Sequence, residues 1–331
     1  MSDRGWFYGL ARGVVFVLGL GGMPAWSAEP ADQTMVLLKA AQEAAQHLDY
    51  SGVYTYQQGT SMQSSRIVHV VDGMGERERL EALDGEPREH LKQNGIVQCL
   101  LPRQKLILIE PHRSDRFPGV LLGAGEQIPR HYRFHREPTL HRVAGRECSM
   151  TELQARDDLR YGYRYCIDTQ THLILQAQTL DAHGQVIDQV VFNSLAVGKG
   201  TTHEGLKSRW DTRDWRILEP AIEPVDLLAR GWRITYPEGF VPLAEISRLI
   251  RPEHKAEQLV LSDGLAAISV FIETFDPERD QTVKQGAMSQ GAMNIYRRRV
   301  AAYWLTAIGE VPAQTVRDVA EAVEYVPLAA H

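Results

Sequence analysis

The chain has 331 residues, with 36 Lys+Arg against 42 Asp+Glu, a net charge of −6, 44% apolar and 24% charged residues. That balance is ordinary for a globular protein and excludes a disordered tail, a collagen-like repeat and a multi-span membrane protein. It also argues against nucleic acid as a partner, because no excess of cations is there to neutralise phosphates.

Residues 1–28 read as a secretory signal. Arg4 and Arg12 precede the apolar run Val14–Leu20, helix-breaking Gly21, Gly22 and Pro24 follow, and small residues close the segment. The run is shorter than the roughly 20 residues a bilayer span needs. Cleavage after Ser27 or after Ala28 both remain open, as does an uncleaved anchor. No later segment is apolar enough to span, and no cysteine follows to accept lipid, so the expected location is the periplasm.

Asp32 to Leu48 reads as a helix that Asp32 can cap, with Met35, Leu38, Ala41, Ala45 and Leu48 at loosely helical spacing. Short β-rich runs then alternate with turn residues: Val53–Gln57, Ser65–Val71, Arg77–Leu83, Ile96–Leu101 and Lys105–Glu110. Pro118 to Pro138 breaks the series and is expected to carry a short helix near Arg130–Phe134. Glu147–Ala155 and Tyr161–Thr169 form a hairpin, and Leu173–Leu180 and Gln185–Asn193 form another. Connections this short leave no room for crossover helices. The expected fold is therefore α+β, a large curved antiparallel sheet, or half-barrel, packed on helices, over residues 29–199. Residues 200–225 are polar and read as a linker, and residues 226–331 as a smaller α/β unit closed by a helix after Pro312 whose apolar face is Val316, Val319, Ala320 and Val323.

With Asp157 at the centre of the first hairpin, Cys148 stands directly opposite Cys166, close enough for a disulfide in an oxidising compartment. Cys99 is left over, and no CxxC motif is present. Tyr161, Tyr163, Tyr165 and Ile167 then share one face with Leu153, away from the cysteines. Such a face is either ordinary core or the lining of a half-open cup for an apolar ligand.

Catalytic signatures are absent: no G-x-S-x-G, P-loop, G-x-G-x-x-G or H-E-x-x-H occurs. His131, His135 and His141 have suggestive spacing for a metal, but Arg130, Arg133, Arg136 and Arg142 crowd them, so neither metal nor cofactor is expected. The sharpest charge cluster, Arg297-Arg298-Arg299, lies near the bend of a hairpin beside Tyr303 and Trp304. It reads either as a solvated tip or as a surface for carboxylates or phosphates of a partner.

The series Leu48–Gly52, Gly145–Cys148, Leu261–Leu265, Tyr296–Val300 and Gly309–Thr315 resembles, in order and over the mature chain, the sigma-E factor regulatory family, RseB/MucB. The resemblance implies a non-enzymatic periplasmic regulator that binds the periplasmic part of a single-span anti-sigma factor and shields it from proteolysis. It would release that partner on an envelope-stress signal such as lipopolysaccharide or a lipoprotein-derived lipid. It also implies a larger domain like the lipoprotein carriers, and a smaller domain that grips the partner. On this reading Arg297, Arg298, Arg299, Tyr303 and Trp304 are the expected partner contacts, and Tyr161, Tyr163, Tyr165, Ile167 and Leu153 the expected lipid cavity. A periplasmic lipid or lipoprotein carrier is the rival reading, and a homo-oligomer stays open.

Overall fold

The computed structural model describes residues 27–28, 31–111, 117–119, 121–122, 125–198, 203–251, 254–278, 280 and 284–327. The expected signal therefore lies outside the described residues except at its last two positions. In chain order the elements begin with β1 (Ser27–Ala28), α1 (Ala31–His47), β2 (Tyr50–Gln58), β3 (Ser61–Asp72), β4 (Gly75–Ala82), β5 (Glu89–Gln93), β6 (Ile96–Leu101) and β7 (Leu106–Pro111). Next come α2 (Ile128–His131), β8 (Tyr132–Val143), β9 (Arg146–Ala155), β10 (Gly162–Asp168), β11 (Ile174–Leu180), β12 (Val186–Val197), β13 (Arg216–Leu218) and β14 (Ile222–Pro224). The chain finishes with β15 (Trp232–Ile234), β16 (Val241–Arg251), β17 (His254–Ser262), β18 (Ala267–Thr274), β19 (Gly286–Gln290), β20 (Met293–Val300), β21 (Tyr303–Gly309), α3 (Ala313–Glu321) and β22 (Val323–Tyr325).

Thirteen strands form one large curved sheet in the order β1-β8-β9-β10-β11-β12-β2-β3-β4-β5-β6-β7-β13, antiparallel throughout except for the β7–β13 pair. Its inner face is partly covered by α1. Thr34, Leu38, Ala41 and Ala45 recur at helical spacing and are all buried. Ala45 and its buried neighbour Ala44 let the helix sit close to Tyr50, Ile67 and Phe192 of the sheet. Further along the helix, Leu38 packs against Ile128, Tyr132, Leu153, Ile167 and Ile174.

A second sheet of seven strands runs β14-β16-β17-β18-β21-β20-β19. One of its faces buries Leu259, Leu261, Val270, Ile272 and Leu305 beneath Val316, Val319 and Ala320 of α3. Val323, expected on the apolar face of that helix, starts β22 instead and remains in the same core at 1% exposure. The stretch 200–225 contributes to both sheets: β13 pairs with β7, and β14 pairs with β16.

Three local expectations are corrected. The hairpin register is Tyr163↔Leu153 and Cys166↔Met150, so Cys148 faces Asp168, not Cys166. The disulfide nevertheless forms across the diagonal, with Cα atoms 5.3 Å apart, because right-handed twist brings one diagonal of a strand pair close. Arg133 and Phe134 belong to β8 rather than to a helix. That strand is hard to see in the sequence because its solvent side carries Arg133, His135 and Glu137 while only Tyr132 and Phe134 are fully buried. Finally, Arg297–Arg299 lie inside β20, and the bend falls at Ala301-Ala302.

Candidate functional site

The part of the inner face that α1 leaves uncovered is a cavity of about 530 Å³, within the range of small-molecule pockets. Strand alternation decides its lining. Tyr54 and Tyr56 come from β2, Glu78 and Leu80 from β4, Tyr163 and Tyr165 from β10, and Asp188 and Val190 from β12. Phe117 closes over them, with its ring centroid 5.2 Å from that of Tyr54 and 5.1 Å from that of Phe192. The second sheet reaches this cavity as well, through Leu265 of the β17–β18 turn and Glu310 after β21.

Of the residues expected here, Tyr163 and Tyr165 are on the wall. Leu153 (0% exposed) and Ile167 (1%) are packed under α1 in the core. Tyr161 precedes β10, and its hydroxyl accepts a hydrogen bond from Nδ2 of Asn294 at 3.0 Å. Sequence reasoning missed Tyr54 and Tyr56, although their alternation in the β2 run is the same signal that singled out Tyr163 and Tyr165.

The junction between the sheets is polar and buried. Arg160 Nη1 donates to Oδ2 of Asp263 at 2.8 Å, and both side chains are 0% exposed. The same guanidinium reaches Oδ1 of Asp157 at 2.9 Å and the Glu238 carbonyl at 2.6 Å. Burial works against the charge of Arg160, but the hydrogen bond it donates to Asp157 and the charge of Asp263 outweigh it and raise its proton affinity. The Tyr132 hydroxyl donates to the same Asp263 oxygen at 2.9 Å. Burial, and then the Asp263 charge, push the Tyr132 pKa well above its usual range. Two glycines permit the close approach. At Gly239, with φ +81°, a Cβ would fall 2.3 Å from Nε2 of His131, and at Gly291, with φ +55°, it would fall 2.0 Å from Oδ1 of Asp188.

Asp188 belongs to both the cavity and the junction. Its carboxylate accepts N–H bonds from Gly59 at 3.1 Å and from Ala292 of the second sheet at 2.9 Å. Burial raises its pKa, the two backbone N–H groups oppose this, and the charge of Glu310 adds to the rise.

The arginine cluster divides between two faces of the second sheet. Arg298 points at α3, where Nε donates to the Ala320 carbonyl at 2.8 Å and Nη2 to the Val323 carbonyl at 2.5 Å. It thus satisfies carbonyls at the helix C-terminus, a structural task. Arg297 and Arg299 emerge on the opposite face with Trp304. Arg297 sits 5.9 Å and Arg299 5.4 Å from the Trp304 ring, and Arg299 stacks at 3.4 Å on Phe275. The pairing Arg248↔Ala256↔Glu273↔Trp304↔Arg299 adds Arg248 to this face. Trp304 Nε1, Arg299 Nε, Arg248 Nε and Gln258 Oε1 are buried there without a hydrogen-bond partner among the described residues. Tyr303 packs instead on the α3 side, with ring centroids 5.0 Å from Trp232 and 5.2 Å from Tyr325.

The histidines do not converge. His131 is buried against Gly239, and His141 pairs with Glu137 at 2.5 Å. Among the described residues no group of three His, Cys, Asp or Glu side chains could hold a metal, and no helix is long and apolar enough to cross a membrane. The disulfide partners Cys148 and Cys166 are buried with Met150 and Leu175, and Cys99 is buried and lies outside that disulfide.

Two family models match this architecture: the MucB/RseB N-terminal domain over residues 33–211 and the MucB/RseB C-terminal domain over residues 227–324. The chain belongs to the MucB/RseB family. Curated relatives include the sigma factor AlgU regulatory protein MucB of Pseudomonas aeruginosa, 27% identical over 317 residues, covering 93% of this chain and 96% of that protein. The sigma-E factor regulatory protein RseB of Escherichia coli K12 is 26% identical over 309 residues, covering 90% and 92%. Among solved structures, the MucA/MucB complex of P. aeruginosa aligns with a TM-score of 0.67 at 26% identity, covering 90% of this chain and 100% of that one. MucB in complex with MucA(peri) aligns at 0.66 and 25%, covering 89% and 99%. These MucB and RseB relatives are named for sigma-factor regulation, and neither name is that of an enzyme.

Proposed function

We propose that this chain is a periplasmic regulator that binds the periplasmic part of a single-span anti-sigma factor and shields it from proteolysis. Lipid entering the cavity, lipopolysaccharide or a lipoprotein-derived chain, weakens that grip. The observation that carries this reading is that Leu265 and Glu310 of the second sheet form part of the cavity wall. Any ligand filling the cavity therefore touches both halves of the molecule. If it binds better to the partner-free arrangement, it must lower partner affinity by the same factor.

The face bearing Arg248, Arg297, Arg299 and Trp304 supplies the grip in this account. Guanidinium groups stacked on aromatic rings suit an acidic partner segment with apolar anchors. The test is titration of the mature chain with the anti-sigma segment. Arg297→Ala with Arg299→Ala should cost about 2–4 kcal/mol of binding and leave the fold unchanged. Arg298→Ala should destabilise the second sheet through the loss of its α3 contacts. Equal binding by the double variant would return these arginines to a solvent-facing role. Filling the cavity with Ala177→Trp should preserve partner binding and abolish release by lipid. Release that survives would make the cavity structural, and tight acyl-peptide binding without partner binding would favour a carrier.

A further inference from the structure

Two guanidinium groups converge on one indole, on the face of the second sheet turned away from α3. Their carbons lie 5.9 Å (Arg297) and 5.4 Å (Arg299) from the centroid of the Trp304 ring. Both groups are held in place. Arg297 Nε donates to Oγ1 of Thr306 at 2.8 Å, while Arg299 stacks on Phe275 and its Nη2 donates to the Ala301 carbonyl at 3.1 Å. Each still has N–H donors to spare, because a guanidinium carries five. Trp304 is 6% exposed, yet its indole N–H meets no acceptor among the described residues, and neither does Nε of Arg299. Unmatched buried donors are costly, so the cluster suits an added acceptor.

Charge narrows that acceptor to a small anion. The strand register places Arg248, Arg297 and Arg299 on this face against Glu273, within a chain of net charge −6. A long polyanion is repelled by the molecule as a whole, whereas a small one feels the local excess. A phosphate monoester carries about −1.5 to −2 charges at pH 7 and offers three acceptor oxygens. A carboxylate brings one charge and two oxygens. Two planar forks beside a further N–H donor therefore favour the phosphate.

We infer that Arg297, Arg299 and Trp304 form a phosphate site, for the free ion or for the phosphate head of a lipid. The site stands on this geometry alone. Its consequence rests on the proposed grip of the partner by the same arginines: a bound phosphate and the partner's carboxylates exclude one another. A phosphate-headed lipid then releases the partner by competition as well as through the cavity.

The experiment titrates the mature chain calorimetrically at pH 7 in Tris chloride with inorganic phosphate and, below their micellar concentrations, with dodecyl phosphate and dodecyl maltoside. Dodecyl phosphate should bind at least tenfold more tightly than dodecyl maltoside. The double variant Arg297→Gln with Arg299→Gln, checked for native circular dichroism, should reduce that preference to twofold or less. Arg297→Lys with Arg299→Lys keeps the charge, loses the forks and should weaken dodecyl phosphate at least threefold. Inorganic phosphate within threefold of dodecyl phosphate would support the site and assign it to the free ion; a tenfold deficit would support it and assign it to a lipid head. Equal affinity for the two dodecyl probes, or a preference that survives in the glutamine variant, would overturn the site. With the anti-sigma segment present, saturating dodecyl phosphate should weaken segment binding at least fivefold. Segment affinity that stays unchanged would overturn the competition. A segment that fails to bind at all would sink the regulatory reading and leave the phosphate site to the first titrations.

Discussion

Replacing Arg160 by methionine, Arg160→Met, keeps an unbranched stem in place and removes a guanidinium that is 0% exposed. The loss leaves the buried Asp263 carboxylate with the Tyr132 hydroxyl and the N–H groups of Leu265 and Ala266, at 2.9, 2.9 and 2.7 Å. It also strips the Glu238 carbonyl of its donor at 2.6 Å. Breaking one side of a buried pair costs about 3–5 kcal/mol, because the surviving charge is stranded away from water. Against a typical total of 5–15 kcal/mol this is a large fraction. The loss falls at the junction between the sheets, so urea unfolding should show it as a separation of two transitions. Far-UV circular dichroism follows the strands of both sheets, and fluorescence of Trp232 and Trp304, read in a Trp210→Phe, Trp215→Phe background, follows the smaller one alone. Adding Asp263→Asn to Arg160→Met removes the stranded charge, keeps an acceptor for the turn, and should recover at least about 1 kcal/mol. A loss below about 1 kcal/mol with coincident transitions would refute the assignment of Arg160–Asp263 as the pair that couples the two sheets.

Glu76 gives a pH-dependent counterpart. Its hydrogen bond with His69, helped by Lys92 and opposed by burial, lowers its pKa from 4.5 to about 2. A lowered carboxylate pKa stabilises the fold above the ordinary value, and that contribution is lost as pH falls through about 2. Glu76→Gln should cost about 1–2 kcal/mol at pH 7 once solvent screening is allowed for, and the difference should close between pH 4.5 and 2 in urea titrations. Reduction of Cys148–Cys166, which lie 18 residues apart in sequence, should cost about 3 kcal/mol of loop entropy, read as a fall in melting temperature with dithiothreitol. Gly239→Ala should destabilise the junction by more than 1 kcal/mol, since φ is +81° and the Cβ meets His131; an unchanged melting temperature would contradict that packing.

Local signals in the sequence carried the large sheet well, and contacts between distant segments hardly at all. Short turns and alternating aromatics place β2, β9, β10 and the disulfide pair, because strand period and turn chemistry are local properties. The Cys148–Cys166 pairing survived a one-residue error in hairpin centre, since cross-strand twist brings a diagonal pair within bonding distance. Strand β8 was hidden because half its residues face solvent as Arg, His and Glu. Only two of the five residues expected in the cavity line it: α1 covers the stretch of sheet holding Leu153 and Ile167, and helix placement over a sheet leaves no mark at those positions. The arginine run shows the same limit. Within a strand, Arg298 must face opposite to Arg297 and Arg299, and the packing of α3 on the Arg298 side, a contact between separate segments, decides which of them is occupied within the fold. The Asp188, Glu310 and Asp263 constellation joins residues from distant stretches of the chain, so no spacing announces it.

The most direct test of the regulatory account is calorimetric titration of the mature chain with the periplasmic segment of its anti-sigma factor, first alone and then with the cavity filled by lipid. The account predicts tight binding that lipid weakens by at least fivefold, with the anti-sigma segment weakening lipid binding by the same factor. Partner affinity that stays constant while lipid demonstrably occupies the cavity would contradict it.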